Sequence, residues 1–370
     1  ASNQFYGIYA LNNEVWLGTF NAGIAIIPES EELIVQFPRD ENYANTSVQS
    51  AISLIAENGI WVGYDGDGLK NYKQLGGRWD EFMLFDDRYP KVITSLIKYG
   101  DELWIGSLSE GIYVIDQWGK IKRRYSSASE NPLGLSNSNI WSMQKTWGDS
   151  LWIGTLSGLQ FWDGGQFISP FDDAWEAGRN IMDLEFDGKK LWIGSEFEGL
   201  FSLDHSGTLE RFELDNSVLD LHQYQNNLII ATEGAGILAL RNGAIDTVID
   251  NQRYMNAYSL ASLDSELFAT TSIGLLRLYL SKAGEWKYEV LRELNQLQVG
   301  SPNRKSLVSM NGRLYVGGTK GVAELNVQKM SVSDVPDIIM TSVLSDNLRI
   351  PFNVTTNHSK DLNQVVFEPG

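Results

Sequence analysis

Leu151-Trp152-Ile153-Gly154-Thr155 decides how this chain is read, because the same phrase is written eight times. It recurs as Val15-Trp16-Leu17-Gly18-Thr19, Ile60-Trp61-Val62-Gly63-Tyr64, Leu103-Trp104-Ile105-Gly106-Ser107 and Leu191-Trp192-Ile193-Gly194-Ser195. Weaker copies follow at Leu228–Thr232, Leu267–Thr271 and Leu314–Gly318, with Ile229, Phe268 and Tyr315 at the anchor position. Successive anchors are 37 to 48 residues apart. A period of that size marks an architecture built from one supersecondary unit that cannot bury both its faces alone.

The surroundings of each anchor repeat as well. A turn pair precedes it, such as Asn58-Gly59, Gly100-Asp101, Asp187-Gly188 or Asn311-Gly312. These residue types tolerate positive φ and close tight hairpins. A short apolar strand lies before the turn. A Gly-containing loop, a third strand such as Ile112–Ile115 and a polar fourth strand such as Ile121–Tyr125 come after. The pattern predicts an all-β chain: a β-propeller of four-stranded antiparallel blades, each sheet covering the next around a ring. Eight copies predict eight blades; a ring of seven with one repeat displaced is the alternative. The propeller is expected over residues 1–333. Residues 334–370 are expected to be a linker followed by part of a further domain or an arm, with strands at 337–343 and 364–367.

Two columns run through the first strands. One reads Gly7, Ser53, Ser95, Ser142, Asp183, Asp220, Ser259, Ser306; the next reads Ile8, Leu54, Leu96, Met143, Leu184, Leu221, Leu260, Leu307. Side chains alternate across a strand, so the columns face opposite ways. Small residues suit innermost strands crowded around a channel, and a functional ring of polar ligands is the competing reading.

Composition limits the partners. The net charge is −18, from 29 basic and 47 acidic residues. Such a chain repels phosphate backbones, so no nucleic-acid partner is expected, and anionic membrane surfaces are disfavoured. There is no Cys, which removes disulfides and thiolate metal sites. No apolar run approaches the length of a spanning helix, so no membrane contact is expected of this segment. Ala1 shows no signal peptide, as expected of a mature or trimmed chain.

No cofactor, metal site or catalytic residue is expected. His205, His222 and His358 fall far apart in the repeat, and no Ser-His-Asp grouping is visible. Asp65-Gly66-Asp67-Gly68 lacks the further ligands of a calcium loop. Asp183 and Asp220, on adjacent repeats, offer only a weak paired-carboxylate reading.

Topology places the second-to-third-strand loops and the starts of the first strands on one side of the ring. Ligand-binding candidates there are Phe20, Tyr64, Asp65, Asp67, Glu196 and Phe197 from the loops, and Trp141, Arg179, Tyr254, Tyr258 and Arg304 from the strand starts. Aromatic faces stack on sugar C–H faces, while carboxylates and arginines fix hydroxyls or acids. Packing between blades is the competing role, for Trp141 and Tyr258 above all.

The phrase Leu-Trp-Ile-Gly-Ser/Thr, then Gly-Leu or Gly-Ile, then an aromatic and an Asp, resembles the two-component-regulator propeller repeat. Leu151 to Asp163 and Leu191 to Asp204 carry the likeness, which extends over nearly the whole chain. It implies the extracytoplasmic, periplasmic input region of a bacterial membrane sensor. It also implies a small-molecule or oligosaccharide ligand and the protein's own downstream signalling domains as partners; no enzymatic activity is expected, and a homodimer is left open. Pro336 to Glu368 is similar to the opening of the immunoglobulin-like domain that follows such propellers. A protein-interaction platform and a propeller lyase or glycosidase are the alternatives.

Overall fold

The computed structural model describes residues 5–11, 14–19, 24–28, 34–37, 47–53, 59–75, 78–83, 89–127, 134–171, 180–249, 255–293, 299–327, 343–345 and 348–350. The chain divides into two compact units, Ala1–Val332 and Ser333–Gly370.

In the first unit, seven four-stranded antiparallel sheets form the blades. Their first strands are Ser47–Ser53, Ile93–Tyr99, Ile140–Lys145, Ile181–Phe186, Val218–Tyr224, Ala257–Leu263 and Pro302–Met310. Each lies beside the first strand of the next blade, and Pro302–Met310 returns to Ser47–Ser53, so the ring closes on itself. These are blades one to seven below.

The seven-membered alternative is therefore the one observed. The repeat at the start of the chain is divided. Its strands Phe5–Leu11, Glu14–Thr19 and Ile24–Pro28 form a separate three-stranded sheet. Its fourth strand, Ile34–Phe37, pairs with Val322–Leu325 and completes blade seven. Counting phrases gives eight; counting the sheets that the strands actually join gives seven.

Each of the seven anchors inside the ring packs forward onto the following blade. Trp61 lies against Ile93 and Leu103, Trp104 against Ile140 and Leu151, Trp152 against Ile181 and Leu191, and Trp192 against Val218 and Leu228. Ile229, Phe268 and Tyr315 do the same in the weaker copies. One large apolar group per interface removes the exposed face that a lone sheet would present.

The glycine of the phrase is explained by the same contact. A Cβ on Gly106 would stand 2.7 Å from Ile140, one on Gly154 2.6 Å from Ile181, and one on Gly194 2.4 Å from Val218. Each partner opens the next blade's first strand. Where the phrase carries Ala231 instead, the partner shrinks to Ala257, and both are fully buried.

In the second unit, Val343–Ser345 pairs with Leu348–Ile350 as a hairpin. The sequence reading ended a strand at Val343 and placed a loop over the rest of this stretch. Residues 337–342 and 364–367 lie outside the described residues. Among the described residues no helix is long and apolar enough to cross a membrane.

Candidate ligand site at the channel mouth

The innermost strand of each blade has one edge without a strand partner, and buried N–H groups on that edge need acceptors. Four members of the polar column supply them to the blade ahead. Ser142 Oγ accepts the N–H of Leu184 at 3.1 Å, and Asp183 Oδ2 that of Leu221 at 2.7 Å. Asp220 Oδ2 accepts the N–H of Leu260 at 2.6 Å, and Ser259 Oγ that of Leu307 at 3.1 Å. The column is thus a hydrogen-bonded latch between blades. Short polar side chains are required there because they must both fit and accept.

The first strands also share a bulge. One extra residue interrupts the register before the polar column: Thr94, Trp141, Met182, Leu219 and Tyr258 in blades two to six. In blade seven the interruption grows to Asn303–Ser306, between the pairs Pro302↔Gly318 and Leu307↔Val316. Lys305 there takes φ +50°, and Ser306 Oγ bonds the carbonyls of Asn303 and Gly317 at 2.6 and 2.8 Å. Bulges re-aim side chains where regular pleating would not.

This enlarged bulge reaches across the ring. Arg304 lies over the Trp141 ring, 5.9 Å from guanidinium to centroid, and its Nη1 is 3.9 Å from the Met182 sulfur. Lys305 Nζ stands 2.5 Å from Asp183 Oδ1 and 3.3 Å from the Trp141 carbonyl. In the ring blade seven sits between blades six and one, whereas Trp141 belongs to blade three and Met182 and Asp183 to blade four. These contacts therefore span the channel.

Beneath the mouth the channel is acidic. Burial first, and Asp183 beside it second, hold the Asp220 carboxyl well above the usual carboxylate range, with Lys305 acting in the opposite sense. Burial pushes Glu185 up to about 7, against the N–H of Gln223 that it accepts at 2.9 Å. His222 Nε2 meets Ser262 Oγ at 3.0 Å, and burial pushes the ring down to about 4. The two aspartates come together, but each holds a backbone N–H of the next blade. Among the described residues no group of three or more acidic or histidine side chains could hold a metal ion.

The structure sorts the sequence candidates into groups. Trp141, Tyr258 and Arg304 all occupy the bulge column, and Trp141 and Arg304 touch across the channel. Trp141, Tyr258 and Arg304 are each half-buried. Asp65 and Asp67 are exposed, and Asp67 pairs with Lys70 at 3.3 Å. Glu196 accepts from Asn180 at 3.2 Å, and Phe197 stands 70% exposed. Tyr64 is not at the surface: it is fully buried, with its hydroxyl 2.7 Å from that of Tyr72. The turn that follows it carries the exposed face, while the tyrosine itself continues the buried strand. Phe20, Arg179 and Tyr254 lie outside the described residues. Met182, Leu219 and the cross-channel reach of Lys305 escaped the sequence reading. The signal was present one position before the polar column, but nothing in the spacing reveals a bulge.

The same face carries an apolar fringe. Leu108, Leu156 and Ile273, each between 37 and 39% exposed, join Phe197 on the second-to-third-strand loops of blades two, three, six and four.

No family model and no curated protein sequence matches this chain. Solved structures resemble it. The extracellular domain of BT3049 of B. thetaiotaomicron, described as a candidate hybrid two-component system, gives a TM-score of 0.68 at 16% identity, over 94% of this chain and 50% of its own. The corresponding domain of BT4673 from the same organism gives 0.62 at 17%, over 79% and 39%. YCF48 bound to a D1 peptide gives 0.58 at 14%, over 79% and 95%. At such identities the likeness establishes the fold. The chain spans half or less of the two extracellular domains.

Proposed function

We propose that this chain is a ligand-binding module of an extracytoplasmic bacterial sensor, taking a carbohydrate or other small polar ligand over the channel mouth. The observation that carries the reading is the bulge, which gives Trp141 and Tyr258 the same strand position in blades three and six and brings Arg304 of blade seven over the Trp141 ring. Two aromatic faces and a guanidinium suit a ligand with C–H faces and polar substituents. Its structural neighbours include extracellular domains described as parts of two-component systems, which supports a signalling context and a place outside the cytoplasm. The signal would pass to downstream domains of the same protein through a change in docking. The groups in the channel below are held by backbone and by one another, which favours binding over catalysis.

The test is a thermal-shift screen with plant and host oligosaccharides, followed by titration calorimetry. Trp141→Ala and Tyr258→Ala are expected to weaken the best ligand at least tenfold, about 1.4 kcal/mol. Unchanged affinity in both would remove the mouth from consideration. The apolar fringe favours a second reading, a protein-docking face, and YCF48 is a structural neighbour solved with a peptide. Under that reading Phe197→Ala and Leu156→Ala abolish partner binding while the mouth variants leave it intact.

A further inference from the structure

The mouth holds a cation that no acidic side chain among the described residues answers. Among arginines with described side chains, Arg123, Arg124, Arg211, Arg277 and Arg313 each have a glutamate partner. Arg241 lies in solvent. Arg304 is half-buried, and its recorded neighbours are a ring face and a thioether sulfur. Neither is more than a weak acceptor, so the guanidinium's fork of N–H donors is left without an oxygen partner. In a chain with 47 acidic residues, an unpaired arginine inside a channel mouth is not explained by scarcity of carboxylates.

Two described acids of the channel, Asp183 and Asp220, are otherwise engaged. Asp183 is held by Lys305, by the Ser142 hydroxyl at 3.0 Å and by the Leu221 N–H. Asp220 holds the Leu260 N–H. Lys305 and Arg304 are consecutive residues of one enlarged bulge, yet one satisfies the protein and the other does not.

We infer that Arg304 is the anchor for a carboxylate carried by the ligand, so that the mouth selects a monoanionic molecule over its neutral counterpart. This rests on the reading of the mouth as a ligand site. A planar guanidinium pairs with a carboxylate through two parallel N–H···O bonds, and Trp141 beneath it fixes its plane. A dianion such as phosphate fits worse, because one cation is free and the surrounding channel is acidic. The ligand's apolar face would rest against the bulge-column aromatics.

The probes are D-glucuronate and D-glucose, which differ by a carboxylate in place of a hydroxymethyl group, with inorganic phosphate as a third. Titration calorimetry on the full 370-residue chain is expected to give at least tenfold tighter binding of glucuronate than of glucose, weakening with salt, and no comparable binding of phosphate. Arg304→Gln is expected to erase the preference, and Arg304→Lys to restore only part of it, because the charge remains and the fork does not. Melting temperatures of both variants, measured alongside, show that the fold is kept. Equal affinity for the two sugars, or a glucuronate preference that survives Arg304→Gln, overturns the inference; so does the absence of glucuronate binding. The two readings fail separately. A neutral saccharide that binds and is lost in Trp141→Ala upholds the mouth as the site while refuting the anion preference.

Discussion

At the scale of single residues, the channel opposes two kinds of buried titration. Glu185 is raised from 4.5 to about 7, chiefly by burial, with Asp183 and Asp187 adding to it and Lys305 and the Gln223 N–H resisting. A raised carboxyl contributes stability that is complete below its unfolded value and is lost as the pH climbs through 7. His222 is lowered from 6.5 to about 4, by burial and against the charge of Asp183. Its contribution runs the other way: complete above 6.5 and lost as the pH falls through 4. Between pH 4.5 and 6.5 the two slopes oppose, each on the order of 1–3 kcal/mol once partial exposure is allowed for. Asp220 adds to the carboxyl side. Urea midpoints should therefore show His222→Gln losing stability relative to the parent as the pH rises over this window, and Glu185→Gln gaining it. Taking differences from the parent cancels the titration of distant surface acids. Two difference curves with the same sign would show that these groups do not titrate as buried ones.

At the scale of the element, the unit of construction is the contact between the second strand of one blade and the first strand of the next. Gly154 and Ile181 form one such contact, and Ala231 and Ala257 form its counterpart two blades further on. Gly154→Ala is expected to destabilise by about 1–3 kcal/mol, since the added methyl overlaps a branched side chain at the start of a strand. Combined with Ile181→Ala, it should cost less than the sum of the two single changes, because the pair then matches the Ala231–Ala257 solution. Additive losses would mean that the glycine answers to something other than its neighbour. This level of organisation was legible in the sequence. Anchor, turn pair and glycine recur because each strand contact imposes the same local demand. The bulge was not legible, since an extra residue within a strand leaves no trace in anchor spacing that already varies from 37 to 48. Trp141, Tyr258 and Arg304 were chosen for their side of the ring, and Tyr64, chosen on the same ground, is buried. The side a loop lies on can be deduced from connectivity, whereas the direction of a residue at a strand end depends on local register. Met182 and Leu219 went unremarked, and by burial they are core residues.

At the scale of the whole molecule, the ring is closed by strands from distant parts of the chain. Ile34–Phe37 supplies the outer strand of a blade whose other three strands lie between Pro302 and Leu325. Local periodicity assigns each fourth strand to its own repeat, so the sequence pointed to eight units where closure makes seven. The seam also carries side-chain links between blades seven and one: the Trp79 indole N–H donates to Glu324, which Arg313 pairs at 2.9 Å, and Trp79 meets Tyr315 edge-on at 6.0 Å. Joining strands so far apart in sequence carries a loop-closure entropy that only the completed seam offsets. A chain beginning at Ser47 keeps seven inner sets of strands but leaves blade seven with an open outer edge. Losing a four-residue ladder is expected to lower stability by about 2–5 kcal/mol. Amide exchange should quicken first at Val322–Leu325. A synthetic peptide of residues 30–41 added in trans should dock on that edge and restore the urea midpoint in a saturable way, because the free edge is a template for one strand. If the shortened chain melts like the parent, or if the peptide leaves its midpoint unmoved, then the inner strands alone hold the ring shut.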